Sequence, residues 1–339
     1  MNKRIFFILL LTAFVNGNLY AQKSFFDFGL RDTLYIKDFE KQYNIQFSTW
    51  YNRFSFFIDP PFFSNNSNKL KLTPNLKPQL GISLGLKYFS ISFSVAAPLQ
   101  LPGREKYGQT NYFDFTASYY KGYIGLETYF SNYEGLYETS TQTGLKLRSN
   151  AGLFVVGLNG YYTINHKKYS FRSCLKNQEL QYKSAGSPVL MAAIGLKSVN
   201  ADTPLVEGTF RNPATFKAFK NSFGLGVLHF SLRPGYAYNF SIKKGIYFVA
   251  PAIFAGAGYS RVFIIKNNQE VQVNSMDFDL HTKVAFGYNH HKYYWNIYGV
   301  YDVTLNRILP NTNTSFNNFF LGFNVGYRFK NLISKFKWL

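Results

Sequence analysis

Strict alternation of apolar side chains with small or polar ones is the feature that most constrains the fold of this chain. Between Leu80 and Leu86 every second residue is apolar, and Gly or Ser stands between them. The segment 89–95 repeats the pattern with Ser at each intervening position. A two-residue period places alternate side chains on opposite faces of a β-strand. Successive strands with so small and polar a second face predict a transmembrane β-barrel whose apolar face contacts lipid.

Segments of this kind recur along the chain and predict about twelve strands, an even number as in bacterial barrels. The predicted strands are 43–58, 78–86, 88–96, 110–120, 123–131, 150–164, 187–199, 221–241, 245–265, 271–289, 292–306 and 314–329. Short turns alternate with longer polar loops such as 58–77 and 132–149, with a short exception at 266–270. Barrels have short turns at the periplasmic end. We therefore predict an all-β fold, a single antiparallel barrel with both termini periplasmic.

The N-terminus predicts export. Lys3 and Arg4 precede an apolar run from Ile5 to Val15, and the chain then reaches Leu19-Tyr20-Ala21 before Gln22. This order is that of a secretory signal peptide, and the run is shorter than the roughly 20 apolar residues of a membrane-spanning helix. We expect the outer membrane of a Gram-negative envelope as the location. The predicted segments are a cleaved signal peptide 1–21, a periplasmic N-terminal segment 22–42, the barrel 43–329, and a basic, aromatic periplasmic tail 330–339.

Composition agrees with a membrane environment. The chain has 37 Phe and 27 Tyr, residues that barrels place in girdles at both membrane interfaces. Its formal net charge is +20, and the polyanions that an exported chain meets are lipopolysaccharide and anionic lipids. We expect these lipids and the barrel assembly machinery as partners, together with an envelope protein still to be identified. No basic helix or RNA-binding motif indicates nucleic acid.

The segment 165–186 does not fit a simple meander of strands. If turns and loops alternate as above, it must lie at the periplasmic end of the barrel. We predict that it folds back into the lumen as a small plug, and one more hairpin of the barrel wall is the alternative. The polar residues assigned to the plug are Arg172, Gln181, Lys183, Ser184 and Gly186.

A set of charged residues is predicted to face the lumen. On the strand 271–289 four of them occupy alternate positions, about 7 Å apart by strand geometry, and confined charges need partners. The candidate network comprises Asp114, Glu127, Asp277, Asp279, His281, Lys283, Asp302 and Arg328. It is interpreted either as a salt-bridged filling of the lumen or as a translocation path or ligand site.

Motifs for catalysis are weak in this chain. The run Ser184–Ser187 lacks the Gly-x-Ser-x-Gly arrangement of a nucleophile elbow. The adjacent pair His290 and His291 would point to opposite faces of a strand and makes a poor tetrahedral metal site. We therefore predict no catalytic residue, no metal and no cofactor, and we do not expect an enzyme.

Several short motifs resemble a known family. They are Asp32-Thr33-Leu34-Tyr35-Ile36, Phe113-Asp114 entered from Lys106-Tyr107-Gly108-Gln109-Thr110, Asn165-His166-Lys167-Lys168-Tyr169-Ser170-Phe171-Arg172, Gln181-Tyr182-Lys183-Ser184-Ala185-Gly186-Ser187 and Pro234-Gly235-Tyr236. As a set they resemble a family of outer-membrane barrel proteins known only as a domain of unknown function. The resemblance extends from about Asp32 to the end of the chain and implies the barrel architecture, with no activity or ligand.

Two functions from different classes are compatible with these features. In the first, the protein is a narrow, porin-like channel or transporter for small solutes or lipids. In the second, it is a closed structural or docking barrel that binds other envelope components. A lipid-modifying enzyme of the outer membrane is a weaker third hypothesis. A barrel of about twelve strands lies between the filled and the channel-forming sizes, so strand number does not separate them.

Overall fold

The chain folds into a closed antiparallel sheet, which the computed structural model describes for residues 31–39, 43–59, 69–99, 103–140, 144–206, 216, 219–266, 269–309 and 312–329. The strands are β1 Ile36–Asp38, β2 Tyr43–Asp59, β3 Leu70–Pro74, β4 Gln79–Leu86, β5 Phe89–Ala96, β6 Asn111–Lys121, β7 Ile124–Ser140, β8 Gly144–Thr163, β9 Glu179–Gln181, β10 Ala185–Asn200, β11 Ser222–Ile242, β12 Tyr247–Lys266, β13 Gln269–Asn289, β14 Tyr293–Leu309 and β15 Thr312–Phe329. Two four-residue helices, α1 Arg104–Tyr107 and α2 Phe171–Cys174, lie in connections. No helix in this described part of the chain is long and apolar enough to span a membrane.

Within the described residues, twelve strands hydrogen-bond around a closed ring, which we call the wall. Its order is β2-β4-β5-β6-β7-β8-β10-β11-β12-β13-β14-β15. The ring closes where β15 pairs with β2, from Asn313 opposite Asp59 to Phe329 opposite Tyr43. Closure pairs the first wall strand with the last, so neither of them is a free edge strand of the sheet. The predicted twelve-stranded antiparallel barrel is confirmed.

The outer face of the wall is an apolar belt. Leu84 is 51% exposed, Ile194 49% and Phe278 53%, although a protein that is surrounded by water buries most such side chains. Their neighbours along each strand point inward and are small, polar or charged, as the two-residue period requires. The belt is the surface that lipid chains contact in transmembrane barrels.

Tight turns join the strands at one end of the wall. In the turn between β11 and β12, Lys243 and Lys244 adopt positive φ angles of 49° and 60°, and Gly245 follows with 89°. The barrel's first and last residues, Tyr43 and Phe329, lie at the same end. That this end faces the periplasm stays a prediction. The predicted signal peptide and the predicted tail 330–339 lie outside the described residues.

The opposite end differs from the prediction, because two predicted loops contain strands. Within 58–77, β3 pairs with β2 on one side and with β7 on the other. Within 132–149, β7 and β8 continue as one hairpin up to Ser140 and Gly144. Since β3 lies above the hairpin β5–β6, the described wall has twelve strands at the short-turn end and ten at the long-loop end. The five residues of β3 were too few to show a period in the sequence.

Residues 169–184, which we call the inner segment, do not join the wall. Their strand β9 pairs with β1 in a separate two-stranded sheet, with Ile36 opposite Gln181. The segment contacts inward-facing residues from several sides of the ring, including Tyr161 of β8 and Asn289 of β13. It therefore fills the lumen at the short-turn end, and the alternative of another wall hairpin is wrong.

The predicted plug boundary at 186 needs a correction. Gly186 pairs with Tyr238 in the ladder between β10 and β11, so it belongs to the wall and not to the inner segment. Lys183 and Ser184 are exposed and connect the two. Arg172 and Gln181 are buried.

Apolar side chains fill the lumen at the long-loop end. This cluster, which we call the apolar cap, consists of Phe54, Phe56, Ile58, Leu70, Leu72, Leu76, Tyr133, Leu136, Ala151, Leu153, Val155, Val199, Leu205, Val206, Phe216, Phe219, Leu225, Val227, Val262, Ile264 and Phe316. It forms because the inward-facing positions change from polar to apolar along the upper halves of these strands. The lumen is thus occupied at both ends.

Candidate functional site

A cavity with a volume of about 290 Å³ lies in the lumen between the inner segment and the apolar cap. Its lower boundary includes Leu175 and Lys176 of the inner segment, and its upper boundary includes Phe316 of the cap. The space exists because inward residues on β4, β5 and β6 are small. They are Ser83, Gly85, Ser90, Ser92, Ser94, Thr116 and Ser118.

The opposite side of the lumen is charged, and Arg233 of β11 lies at its centre. One Arg233 nitrogen is 3.3 Å from Asp279 Oδ1, and the other is 3.6 Å from Asp302 Oδ2. Asp302 Oδ2 is also 2.9 Å from His281 Nδ1. Arg233 and Asp279 are almost completely buried, so the ion pair is the main compensation for each charge.

A second charged cluster joins the wall to the inner segment. Lys283 Nζ donates hydrogen bonds to Glu127 Oε2 at 2.6 Å and to the Tyr161 hydroxyl at 2.9 Å. The other Glu127 oxygen is 3.7 Å from Lys176 Nζ. Burial lowers the pKa of Lys176, and the neighbouring Glu127 carboxylate raises it. One carboxylate therefore compensates two ammonium groups.

The eight predicted lumen residues divide into separate groups. Asp279 and Asp302 pair with Arg233, His281 contacts Asp302, and Lys283 pairs with Glu127. Asp277 accepts hydrogen bonds from Ser260 and Asn306. Asp114 binds Gln79 and Tyr133 on the far side of the cavity. Arg328 lies below the cavity and donates to the Asn177 carbonyl at 3.0 Å.

Cations in the lumen were missed from the sequence, namely Arg233 and Lys197 of the wall and Lys176 of the inner segment. Arg233 stands next to the Pro234-Gly235 break, which obscured the alternation on its strand. Lys197 lies on β10, and its ammonium donates to the Thr304 hydroxyl at 2.9 Å and faces the Phe316 ring. The two-residue alternation could have identified Arg233 and Lys197, because each continues the inward-facing period of its strand.

Ion pairs stabilise the inner segment internally and join it to the N-terminal residue Arg31, and hydrogen bonds attach it to the wall. Glu179 binds the guanidinium groups of Arg172 and Arg31 and accepts a hydrogen bond from Ser170. Arg172 also donates to the Lys87 carbonyl in the turn between β4 and β5. Burial lowers the pKa of Arg172. Side-chain contacts of this kind, rather than a backbone ladder, attach the segment to the wall.

Cys174 of α2 is the single cysteine of the chain and is buried inside the inner segment. Burial raises the pKa of its thiol to about 11. We expect the wild-type thiol to react with a water-soluble maleimide at pH 7 roughly a hundredfold more slowly than free cysteine, because the thiolate is the nucleophile. Mass spectrometry of the folded and the urea-unfolded protein measures this rate, and equal rates in both states would contradict the expectation.

In the described part of the chain, no group of three or more His, Cys, Asp or Glu side chains is placed to hold a metal ion. His290 and His291 contact each other at 5.0 Å between ring centroids and lie at a turn.

A closed antiparallel ring with an apolar outer belt and a polar lumen defines an outer-membrane β-barrel protein. Sequence comparison gives the family. The chain belongs to the family described as Domain of unknown function (DUF4421), whose profile matches residues 30–329. No curated protein matches the chain.

Solved structures with a similar fold are outer-membrane proteins. The outer membrane protease OmpT from Escherichia coli is 9% identical, with a TM-score of 0.37 over 86% of this chain and 98% of that one. OmpT of Vibrio cholerae, described as an outer membrane protein, is 7% identical, with a TM-score of 0.33 and the same shares. The toluene transporter TodX from P. putida is 7% identical, with a TM-score of 0.21 over 86% of this chain and 91% of that one. These likenesses concern the fold alone.

The comparison corrects one expectation from the sequence. We did not expect an enzyme, because no catalytic motif was found. A protein described as a protease is among the similar barrels. The expectation that the protein is not an enzyme is therefore wrong. The likeness assigns no activity and no catalytic residue to this chain.

Proposed function

We propose that the protein is an outer-membrane transporter that binds a small molecule in the lumen cavity and releases it when the two closed ends open in turn. The observation that carries this proposal is the way in which the short-turn end is closed. The inner segment blocks the lumen, yet within the described residues its only strand partner is β1. A segment held by side chains can move without breaking the wall.

The covalent connections of the segment support the same proposal. It is joined to the wall at both ends, through β8 on one side and β10 on the other, so it returns to the same place after moving. The apolar cap closes the other end, and its residues belong to a different hydrophobic cluster from those of the inner segment. The two closures are therefore structurally independent.

The test opens each end separately. Glu179→Gln removes the charge that holds Arg172 and Arg31, and Phe316→Ala thins the apolar cap above the cavity. We expect either variant alone to leave ion flux through planar bilayers at background, and the double variant to conduct steadily. We also expect Glu179→Gln to raise the rate of Cys174 alkylation at least tenfold.

Glu105→Gln, a change of an exposed carboxylate on α1, serves as the matched control and should leave both measurements unchanged. Heat-dependent migration on gels checks that every variant is folded. If the double variant is folded and silent, the transporter proposal fails and the closed docking barrel is the better account. Conductance in the wild type would show that the cavity is an open pore and would contradict the two closures.

A further inference from the structure

The wall divides at one place, where the hairpin β5–β6 ends and β3 takes over as the neighbour of β7. We call this place the bifurcation. On β2, residues 44–50 pair with β4 and residues 56–58 pair with β3, but 51–55 have no ladder partner on that side. Pro74 ends β3 and Pro78 lies in the connection to β4, and neither has an N–H donor. The backbone ladder of β2 is interrupted here over five residues.

The neighbouring strand β7 is also irregular at this level. Its register shifts between Glu134 and Leu136, where it changes partner from β6 to β3. Gly135 at the shift has φ of +88°, and a Cβ there would lie 2.5 Å from the Gln109 carbonyl oxygen. A β-bulge of this kind bends a strand and ends a pairing.

A chain of side-chain hydrogen bonds spans the bifurcation instead of a ladder. The Trp50 indole donates to Gln79, whose amide donates to Asp114 Oδ2 at 2.6 Å. The Tyr133 hydroxyl donates to the other Asp114 oxygen at 3.1 Å and accepts from the Asn52 amide at 3.0 Å. All five residues also line the cavity. The cavity therefore borders the wall where the backbone ladder is interrupted.

The inner surface at the bifurcation has both apolar and charged parts. Inside, the rings of Trp50 and Phe320 lie 5.4 Å apart, and Phe54 and Phe316 continue the apolar surface. Charged groups such as Lys283 lie across the cavity.

The outer surface at this level changes from apolar to basic. Just below the bifurcation, Leu80 and Val95 of the belt are 49% and 57% exposed. Just above, Arg53 is exposed, and Lys71 and Lys77 are half-buried. A basic rim above an apolar belt is a surface that suits the interface between lipid head groups and chains.

We propose that the bifurcation is a lateral portal between the cavity and the membrane, and that the transported molecule is a single-chain amphiphile with an anionic head group. This inference rests on the proposed function and names its substrate class. The head group meets Arg53 and Lys77 at the rim, and the chain lies against the phenylalanine rings inside. Side chains at the portal rearrange while the ladders on either side stay intact, so opening breaks no ladder hydrogen bond.

Trp50 allows a direct test. The chain has three Trp residues, so Trp295→Phe with Trp338→Phe leaves Trp50 as the one fluorophore of its type. The protein is reconstituted in phosphatidylcholine vesicles and titrated with dibromostearate, whose bromine atoms quench only at contact. We expect saturable quenching of Trp50 fluorescence, and at least fivefold weaker apparent binding for a brominated alkylammonium of the same chain length.

A second fluorophore and a pair of variants serve as controls. Trp295, which packs against Phe286 and Phe323 on the outer face, should show quenching that rises with membrane bromine without saturating. Ser94→Leu, which fills the cavity beside Gln79, should abolish the saturable component. Ser198→Leu on the outward face of β10 should leave it unchanged.

Trp50 quenching by aqueous acrylamide but not by dibromostearate would overturn the portal, since the cavity would then open only to water. Equal affinity for the anionic and the cationic amphiphile would overturn the assigned charge. These outcomes are separable from those of the flux experiment. Flux through the double variant without saturable quenching of Trp50 would support the transporter and contradict the portal. Saturable quenching of Trp50 without flux would support the binding of the amphiphile through the portal and contradict the transporter.

Discussion

Replacing Arg233 by Met is expected to destabilise the barrel by about 3–5 kcal/mol, because it leaves buried carboxylates without their cation. Asp279 has no hydrogen bond to either oxygen among the described residues and depends on the ion pair at 3.3 Å. Asp302 loses a contact at 3.6 Å as well. The midpoint of urea unfolding in lipid vesicles, followed by Trp fluorescence, measures the loss.

Two further variants serve as controls for Arg233→Met, one at its partner Asp279 and one at an exposed arginine. Adding Asp279→Asn to Arg233→Met should recover more than half of the lost stability, since the uncompensated charge is removed. Arg261→Met on the outward face of β12 should change stability by less than about 0.5 kcal/mol. If Arg233→Met is as stable as Arg261→Met, the charged cluster is solvated by water in the lumen and the ion pairs are not its main compensation.

Replacing Glu127 by Gln is expected to have a similarly large effect, with a characteristic pH dependence. The substitution leaves Lys176 and Lys283 in one site without a carboxylate, at a cost of about 3–5 kcal/mol at pH 7. Burial already lowers the pKa of Lys176, and the raising effect of Glu127 is lost in the variant.

The sign of the pH dependence follows from proton binding. Between the lowered pKa of Lys176 in the folded protein and the ordinary value of 10.5, the unfolded chain binds more protons, so stability rises with pH. We expect the stability of Glu127→Gln to rise more steeply from pH 8 to pH 10 than that of the wild type. Unfolding midpoints across this range measure the slope.

Two further variants serve as controls for Glu127→Gln, one that removes the charge of Lys176 and one at an exposed glutamate. Lys176→Met in the Glu127→Gln background should restore stability and remove the steeper slope. Glu134→Gln, on the same strand but exposed, should affect neither. A Glu127→Gln variant with wild-type stability at pH 7 would show that the two lysines are compensated by other groups.

The wall was predictable because its determinant is local. Whether a side chain faces lipid or lumen depends only on the parity of its position within a strand, so Leu80–Leu86 and Asp277–Lys283 were placed on the correct faces from sequence alone. The strand number followed from the same pattern. The prediction that 58–77 is a loop was wrong, because the five residues of β3 are too few for a period to be recognised. Their pairing with β7 is a contact between distant parts of the chain.

The candidate site was predictable only in part. The sequence identified which charged residues face the lumen, but not which of them meet, because partners such as Glu127 and Lys283 are 156 positions apart. It also missed Arg233, the cation on which the largest cluster depends.

The sequence by itself determined the barrel, its strand number and the chemistry of its two faces, since these follow from a two-residue period along single strands. Only the tertiary structure decided that the lumen is closed at both ends, that a cavity remains between the closures, and that the wall divides above β5 and β6. These features depend on register and on side-chain volume summed across strands far apart in the chain, and no local pattern encodes such a sum.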